Sequence, residues 1–110
     1  MITEAEYTSP DGVLRFLVTV PDGDITIGFA GYSWHTHGDI LPAARSEGPE
    51  VATRRFVDDL ISNRSIIAVL SVSGVVQDVW VTDDPAADRE HCQDSEAIEF
   101  RLWDGTKVSV

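Results

Sequence analysis

Ile66-Ile67-Ala68-Val69-Leu70-Ser71-Val72 is a near-continuous apolar run. Successive side chains of a β-strand point to opposite faces, so a strand that is apolar at almost every position is buried on both of them. The run therefore predicts a central strand covered on both faces. A half-exposed strand that pairs in a dimer is the alternative.

Two hairpins follow this strand. Ser73-Gly74 is a two-residue turn that leads into a strand predicted over residues 75–82. Asp104-Gly105 is a strong turn dipeptide, and it joins strands predicted over 97–103 and 107–110. The C-terminal half is therefore expected to be antiparallel sheet, interrupted by an acidic and irregular segment between the hairpins.

An amphipathic helix is expected before the central strand. Pro49 suits a first helical position, because its φ is already helical and the first N–H of a helix has no partner to lose. The helical period continues to Asn63 or Arg64, which predicts about four turns. The expected apolar face consists of Ala52, Phe56, Val57, Leu60 and Ile61.

The first 30 residues have the pattern of an antiparallel meander. Strands are predicted over 2–8, 13–20 and 25–30, because apolar and polar residues alternate there. Ser9-Pro10-Asp11-Gly12 and Pro21-Asp22-Gly23-Asp24 separate them, and both contain the Pro and Gly that turns favour.

These elements predict one α+β domain over residues 1–110, with one helix packed on one face of a six- or seven-stranded, mostly antiparallel sheet. The composition is that of a globular protein, with 43% hydrophobic and 25% charged residues. No apolar run reaches the length of a transmembrane helix, and the N-terminus lacks a signal-peptide pattern. The lone Cys92 excludes an intrachain disulfide, so a cytoplasmic location is expected.

The charge is strongly acidic. Nineteen acidic and eight basic residues give a formal net charge of −11, which repels phosphate backbones and anionic lipids. Nucleic-acid and membrane binding are therefore not expected. The excess lies in residues 1–44 and 65–110, because residues 45–64 carry four charges of each sign. Either solubility or steering towards a basic partner explains it.

The least regular stretch is Gly31-Tyr32-Ser33-Trp34-His35-Thr36-His37-Gly38-Asp39. In an extended backbone His35, His37 and Asp39 point to one side, where they can hold a divalent metal with His91 as a further candidate ligand. The structural alternative is that one histidine hydrogen-bonds the backbone, while Trp34 packs against the end of the sheet.

The same letters resemble the start of the metallo-β-lactamase HxHxDH motif. Ile40 stands where that motif has its last histidine, and the chain is too short for that fold. No family is therefore assigned.

Large aromatic residues near acidic ones are typical of a protein-binding surface. The alternative is that the tryptophans belong to the core, with their N–H groups bonded at its edge. The candidate partner-binding residues are Trp34, Trp80, Trp103, Asp83, Asp84, Asp88 and Glu90.

The sequence favours a non-enzymatic, small acidic domain that binds a basic protein. In charge and size it is similar to bacterial immunity proteins, which neutralise a basic toxin or nuclease. No catalytic residue is assigned, and no cofactor apart from the candidate divalent metal. A second hypothesis is a small metal-dependent or acid/base enzyme centred on His35, His37 and Asp39, with Trp34 and Tyr32 walling a pocket. A third is a homodimeric structural domain, so the chain is expected to be a monomer or a homodimer.

Overall fold

A computed structural model describes residues 3–41 and 44–110, with Thr3 and Glu4 described by their backbone alone. Ile2, which the sequence assigns to the first strand, lies outside these residues. Among the described residues, no helix is long and apolar enough to cross a membrane.

The N-terminal meander forms a first sheet of four antiparallel strands in chain order. The first three strands agree with the sequence pattern, and the fourth falls in the stretch that was expected to be irregular. The strands are β1 (Thr3–Thr8), β2 (Arg15–Thr19), β3 (Thr26–Phe29) and β4 (His35–His37).

The C-terminal half forms a second four-stranded antiparallel sheet, whose order is β6-β5-β7-β8. Both expected hairpins are present, β5 with β6 and β7 with β8. The strands are β5 (Ile66–Val72), β6 (Val75–Thr82), β7 (Glu96–Arg101) and β8 (Lys107–Val108).

The α+β class is confirmed, but the single sheet of six or seven strands is wrong, because the eight described strands form two sheets. One helix is too small to cover the apolar faces of so many strands. The two sheets instead contribute to one shared core with the helix, which removes apolar surface of both from water. Residues in this core include Phe16, Ile27 and Phe29 of the first sheet, Ile67 and Val79 of the second, and Val57 and Leu60 of the helix.

The central strand is buried on both faces, as its sequence predicts. Ile67 and its neighbour Ala68 point in opposite directions, and each is 0% exposed. Ile67 faces the shared core. Ala68 pairs with Trp80 on one side and Phe100 on the other. Asp88 and Arg89, in a short helix that follows β6, contact these two aromatic side chains.

The main helix, α2 (Pro49–Ile61), begins at the expected proline but ends earlier than expected. A preceding short helix, α1 (Ala44–Glu47), leads into it. Asn63 takes a left-handed backbone at φ 62°, and the N–H groups of Asn63 and Arg64 bond back to the carbonyls of Leu60 and Asp59. This arrangement satisfies the free carbonyls of the last turn and stops the helix.

The buried face of α2 differs from the expected one at two positions. Thr53 is only 6% exposed. It can be buried because its hydroxyl donates to the carbonyl of Pro49 at 2.7 Å, so the donor is satisfied without water. Ile61, which was expected in the core, is 38% exposed at the end of the helix. Gly38 is buried against Thr53, since a Cβ built there would lie 2.7 Å from the threonine hydroxyl oxygen.

Candidate functional site

The two histidines of the irregular stretch lie in an edge strand, β4. Their rings are on one side of it, with centroids 5.2 Å apart and planes at 88°, which agrees with the geometry expected of an extended backbone. The Nδ1 atom of His35 lies 3.0 Å from the carbonyl oxygen of Ser33. Nδ1 of His37 lies 3.0 Å from Oδ2 of Asp24 and 3.3 Å from the hydroxyl of Thr26. One nitrogen of each ring is therefore already engaged.

The other candidate metal ligands are not assembled around this pair. Asp39 lies in a 3-10 turn after β4, and His91 ends a helix on the second sheet. Within residues 3–41 and 44–110, no group of three His, Cys, Asp or Glu side chains is placed to hold a metal ion. Of the four candidate ligands, the structure brings His35 and His37 together and does not bring Asp39 and His91 to them.

Trp34 and Tyr32 pack against the shared core. The Trp34 ring lies 6.2 Å from that of Phe29, and its backbone N–H donates to the carboxylate of Asp78 on β6 at 3.3 Å. This bond ties the irregular stretch to the edge of the second sheet. Trp34 therefore packs, and Nδ1 of His35 lies within hydrogen-bond distance of a backbone carbonyl, as the structural alternative describes.

The acidic segment after β6 contains a helix that sequence periodicity did not indicate, α3 (Pro85–Glu90). Asp84 caps it, because its carboxylate accepts the N–H of Ala87 at 3.2 Å, and Pro85 opens its first turn. With six residues, α3 is too short to show a period, but Asp-Asp-Pro was a readable start signal.

α3 covers the face of the second sheet that carries Trp80. The indole N–H of Trp80 donates to Asp88 at 3.2 Å, and the Arg89 guanidinium lies 5.7 Å from the centre of the Phe100 ring. Trp80 is half-buried there, beside a cavity of about 310 Å³ that Cys92 and His91 also line.

The candidate partner-binding residues therefore divide into those that the fold itself uses and those that are exposed. Trp103 is 4% exposed and belongs to the core, so it offers no surface to a partner. Asp84 and Asp88 make internal hydrogen bonds that hold α3. Asp83 and Glu90 are exposed and remain available.

An open groove of about 920 Å³ lies between the first sheet and α2. Its sheet side comes from β1, from β2 with the turn after it and from the 3-10 turn after β4, and its helix side comes from the first three turns of α2. Apolar side chains line its floor: Ala5, Tyr7, Val18, Val20, Ile25 and Val57.

The rim of this groove is acidic. Five carboxylates and a single arginine, Arg54, line it, and all six side chains belong to exposed residues. The rim carboxylates are those of Asp22, Asp24, Asp39, Glu50 and Asp58.

Sequence reasoning missed the groove, because its walls come from four separated segments of the chain. The available signal was limited to Pro21-Asp22-Gly23-Asp24, a turn whose acidic residues follow an apolar strand. Nothing in the sequence placed that turn opposite Glu50 and Asp58 of the helix.

No family model, curated protein or solved structure matches this chain. Its function is therefore argued from its geometry and charge.

Proposed function

We propose that this chain is a non-enzymatic binding domain for a basic protein, with an inhibitor of a basic toxin or nuclease as one such role. The groove between the first sheet and α2 carries the proposal, since an apolar floor lies there beneath five carboxylates and one arginine. Apolar contact supplies affinity to a partner, whereas the acidic rim supplies selectivity for positive charge.

The net charge of −11 acts in the same direction over a longer range. It attracts a basic protein before contact and raises the association rate, and it repels nucleic acids and anionic membranes. Added salt should therefore slow association more than it speeds dissociation.

A metal-dependent or acid/base enzyme is the second candidate. The observation in its favour is the pair of imidazoles on one side of β4. Against it, among residues 3–41 and 44–110 no third His, Cys, Asp or Glu side chain is placed with them to hold a metal ion.

An unbiased peptide selection tests the proposal and does not require an identified partner. Random peptides are selected on the purified chain, and the binders are measured by calorimetry at low and high salt. We expect enrichment of Lys and Arg together with apolar residues, and affinities that fall as salt rises. Binders without excess positive charge would overturn the proposal.

Two variants of equal charge locate the site. Asp39→Lys/Asp58→Lys reverses two rim carboxylates, and Asp83→Lys/Glu90→Lys reverses two exposed carboxylates near α3. Each has a formal net charge of −7, because each of two replacements adds two charges to −11. We expect the groove variant to lose the selected peptides and the α3 variant to retain them. The reverse result would move the binding site to α3 and leave the function in place.

A further inference from the structure

The groove opens beside an unpaired sheet edge. β1 is the first strand of its sheet and pairs only with β2 among the described residues. Alternate N–H and C=O groups along its outer side are therefore free to pair with another strand. Ala5 and Tyr7 of β1 line the groove, so the face of this edge strand continues into the groove floor.

We propose that the groove binds an extended basic segment, which adds to β1 as a fifth strand and has Lys or Arg at alternate positions. This inference rests on the proposed function, and it specifies the chemistry of the partner and its mode of binding. Strand addition places every second side chain of the segment on the face of Ala5 and Tyr7. The side chains between them face away from the groove.

The groove suits long cationic side chains at those alternate positions. Next to β1 the floor is apolar, with Val18 and Val20 of β2 and its continuation. The carboxylates belong to exposed residues on the turn after β2, on the 3-10 turn after β4 and on α2, whereas the apolar lining residues are half-buried or buried. A Lys or Arg side chain matches this order, since its methylene stem lies on apolar surface while its charged end reaches the acidic rim.

Charge also selects among the occupants that an open edge accepts. A second copy of this chain would bring another net charge of −11 and an identical acidic rim to the same edge. Like charges at close range oppose that pairing. A basic segment neutralises the rim instead.

A pair of isomeric peptides tests the spacing. In one, Lys alternates with Thr; in the other, the same residues are arranged with Lys clustered at both ends. We expect the alternating peptide to bind at least about tenfold more tightly in calorimetry, a difference of about 1.4 kcal/mol. The Asp39→Lys/Asp58→Lys variant should remove this preference, and circular dichroism should show that the variant is folded.

N-methylation of the alternating peptide tests strand addition. In a strand, the N–H groups of alternate residues point to opposite edges. One peptide is therefore methylated at the amides that would face β1, and a second peptide at the amides between them, which would face solvent. We expect methylation on one side to abolish binding and methylation on the other to leave the affinity within about threefold. Strand addition would be overturned if neither methylated peptide lost affinity, if both lost it equally, or if the clustered isomer bound as tightly as the alternating one. The binding of basic peptides would still stand in each of these cases.

Two further outcomes are decisive. If neither Lys peptide binds and the random selection yields no basic sequence, both the inference and the proposed function fail. If sedimentation shows a dimer that the alternating peptide cannot dissociate, and the β1 amides are protected from hydrogen exchange in it, a second copy occupies the edge and the inference fails.

Discussion

Arg101 at the end of β7 binds Asp11 in the turn between β1 and β2, with 2.9 Å between Nη1 and Oδ2. The guanidinium also donates to the carbonyl of Trp103 at 3.0 Å, and the second carboxylate oxygen of Asp11 accepts the Ser9 hydroxyl at 2.6 Å. Hydrogen bonds from Arg101 and then Ser9 lower the pKa of Asp11 to about 2. A side-chain pair thus joins a turn of the first sheet to the last strands of the second.

The Asp11–Arg101 pair predicts a stability loss in Asp11→Asn. The amide has the same shape but loses the charge that Arg101, with a side chain only 12% exposed, requires. We expect a loss of about 1 kcal/mol in the free energy of unfolding, since solvent screens part of the interaction at a carboxylate that is 31% exposed. Urea denaturation at neutral pH measures it, with Glu99→Gln on the exposed side of β7 as the control.

The pH dependence of that difference follows from the lowered pKa of Asp11. Its carboxylate stabilises the fold fully above its ordinary pKa of 3.8, and this stabilisation disappears as the pH falls towards about 2. The difference in the free energy of unfolding between the wild type and Asp11→Asn should therefore be constant from neutral pH to about pH 5, and it should become smaller below that pH. A gap that is unchanged at pH 2 would contradict a charged contribution from this pair.

Local pattern predicts strands better than it predicts sheets. The run Ile66–Val72 is recognisable as a strand covered on both faces, because consecutive residues point to opposite faces and almost all of them are apolar. Membership of a sheet depends on partners far away in the chain. β4 pairs with β3 and completes the first sheet, whereas the backbone N–H of Trp34 bonds to β6 through the Asp78 carboxylate. The alternation of apolar and polar residues does not indicate such a contact.

The candidate site was predictable only in part. The extended geometry of His35 and His37 follows from their spacing, but the contacts that hold His37, to Asp24 and Thr26, come from an earlier segment. The groove depends on the distance between a turn and a helix, which no spacing in the sequence encodes. Gly38 lies between the two, because its N–H donates to the carbonyl of Ile25 at 2.9 Å and a Cβ built on it would lie 2.7 Å from the Thr53 hydroxyl oxygen.

Gly38→Ala is expected to destabilise the fold, because the new Cβ would lie 2.7 Å from the Thr53 hydroxyl oxygen and 3.1 Å from the Pro49 carbonyl oxygen. The loss should be about 1–3 kcal/mol, typical of an overpacked contact. Thermal unfolding of Gly38→Ala, Thr53→Ala and the double variant measures it. The double variant should lose less than the two single losses combined, because removal of the hydroxyl relieves the closer contact. Strict additivity would contradict this contact as the cause.

The four acidic residues around α3 should separate into structural and surface groups. Asp84→Ala removes the cap of α3, and Asp88→Ala removes the acceptor of the Trp80 indole N–H, so each should lower the free energy of unfolding by about 1 kcal/mol. Asp83→Ala and Glu90→Ala should remain within about 0.5 kcal/mol of the wild type. Denaturation followed by tryptophan emission measures all four, and equal effects across them would contradict the assigned hydrogen bonds.

Zinc binding decides between the two hypotheses for β4. Structural zinc takes four protein ligands and catalytic zinc takes three, whereas His35 and His37 offer two. We therefore expect the metal-stripped protein to bind zinc more weakly than about 1 μM in calorimetry. The His35→Ala/His37→Ala variant is the control, and circular dichroism should confirm that it is folded. Tight one-to-one binding that this variant loses would mean that Asp39, His91 or another side chain moves to complete a metal site. In that case the metal-dependent enzyme would replace the binding domain as the function to test first.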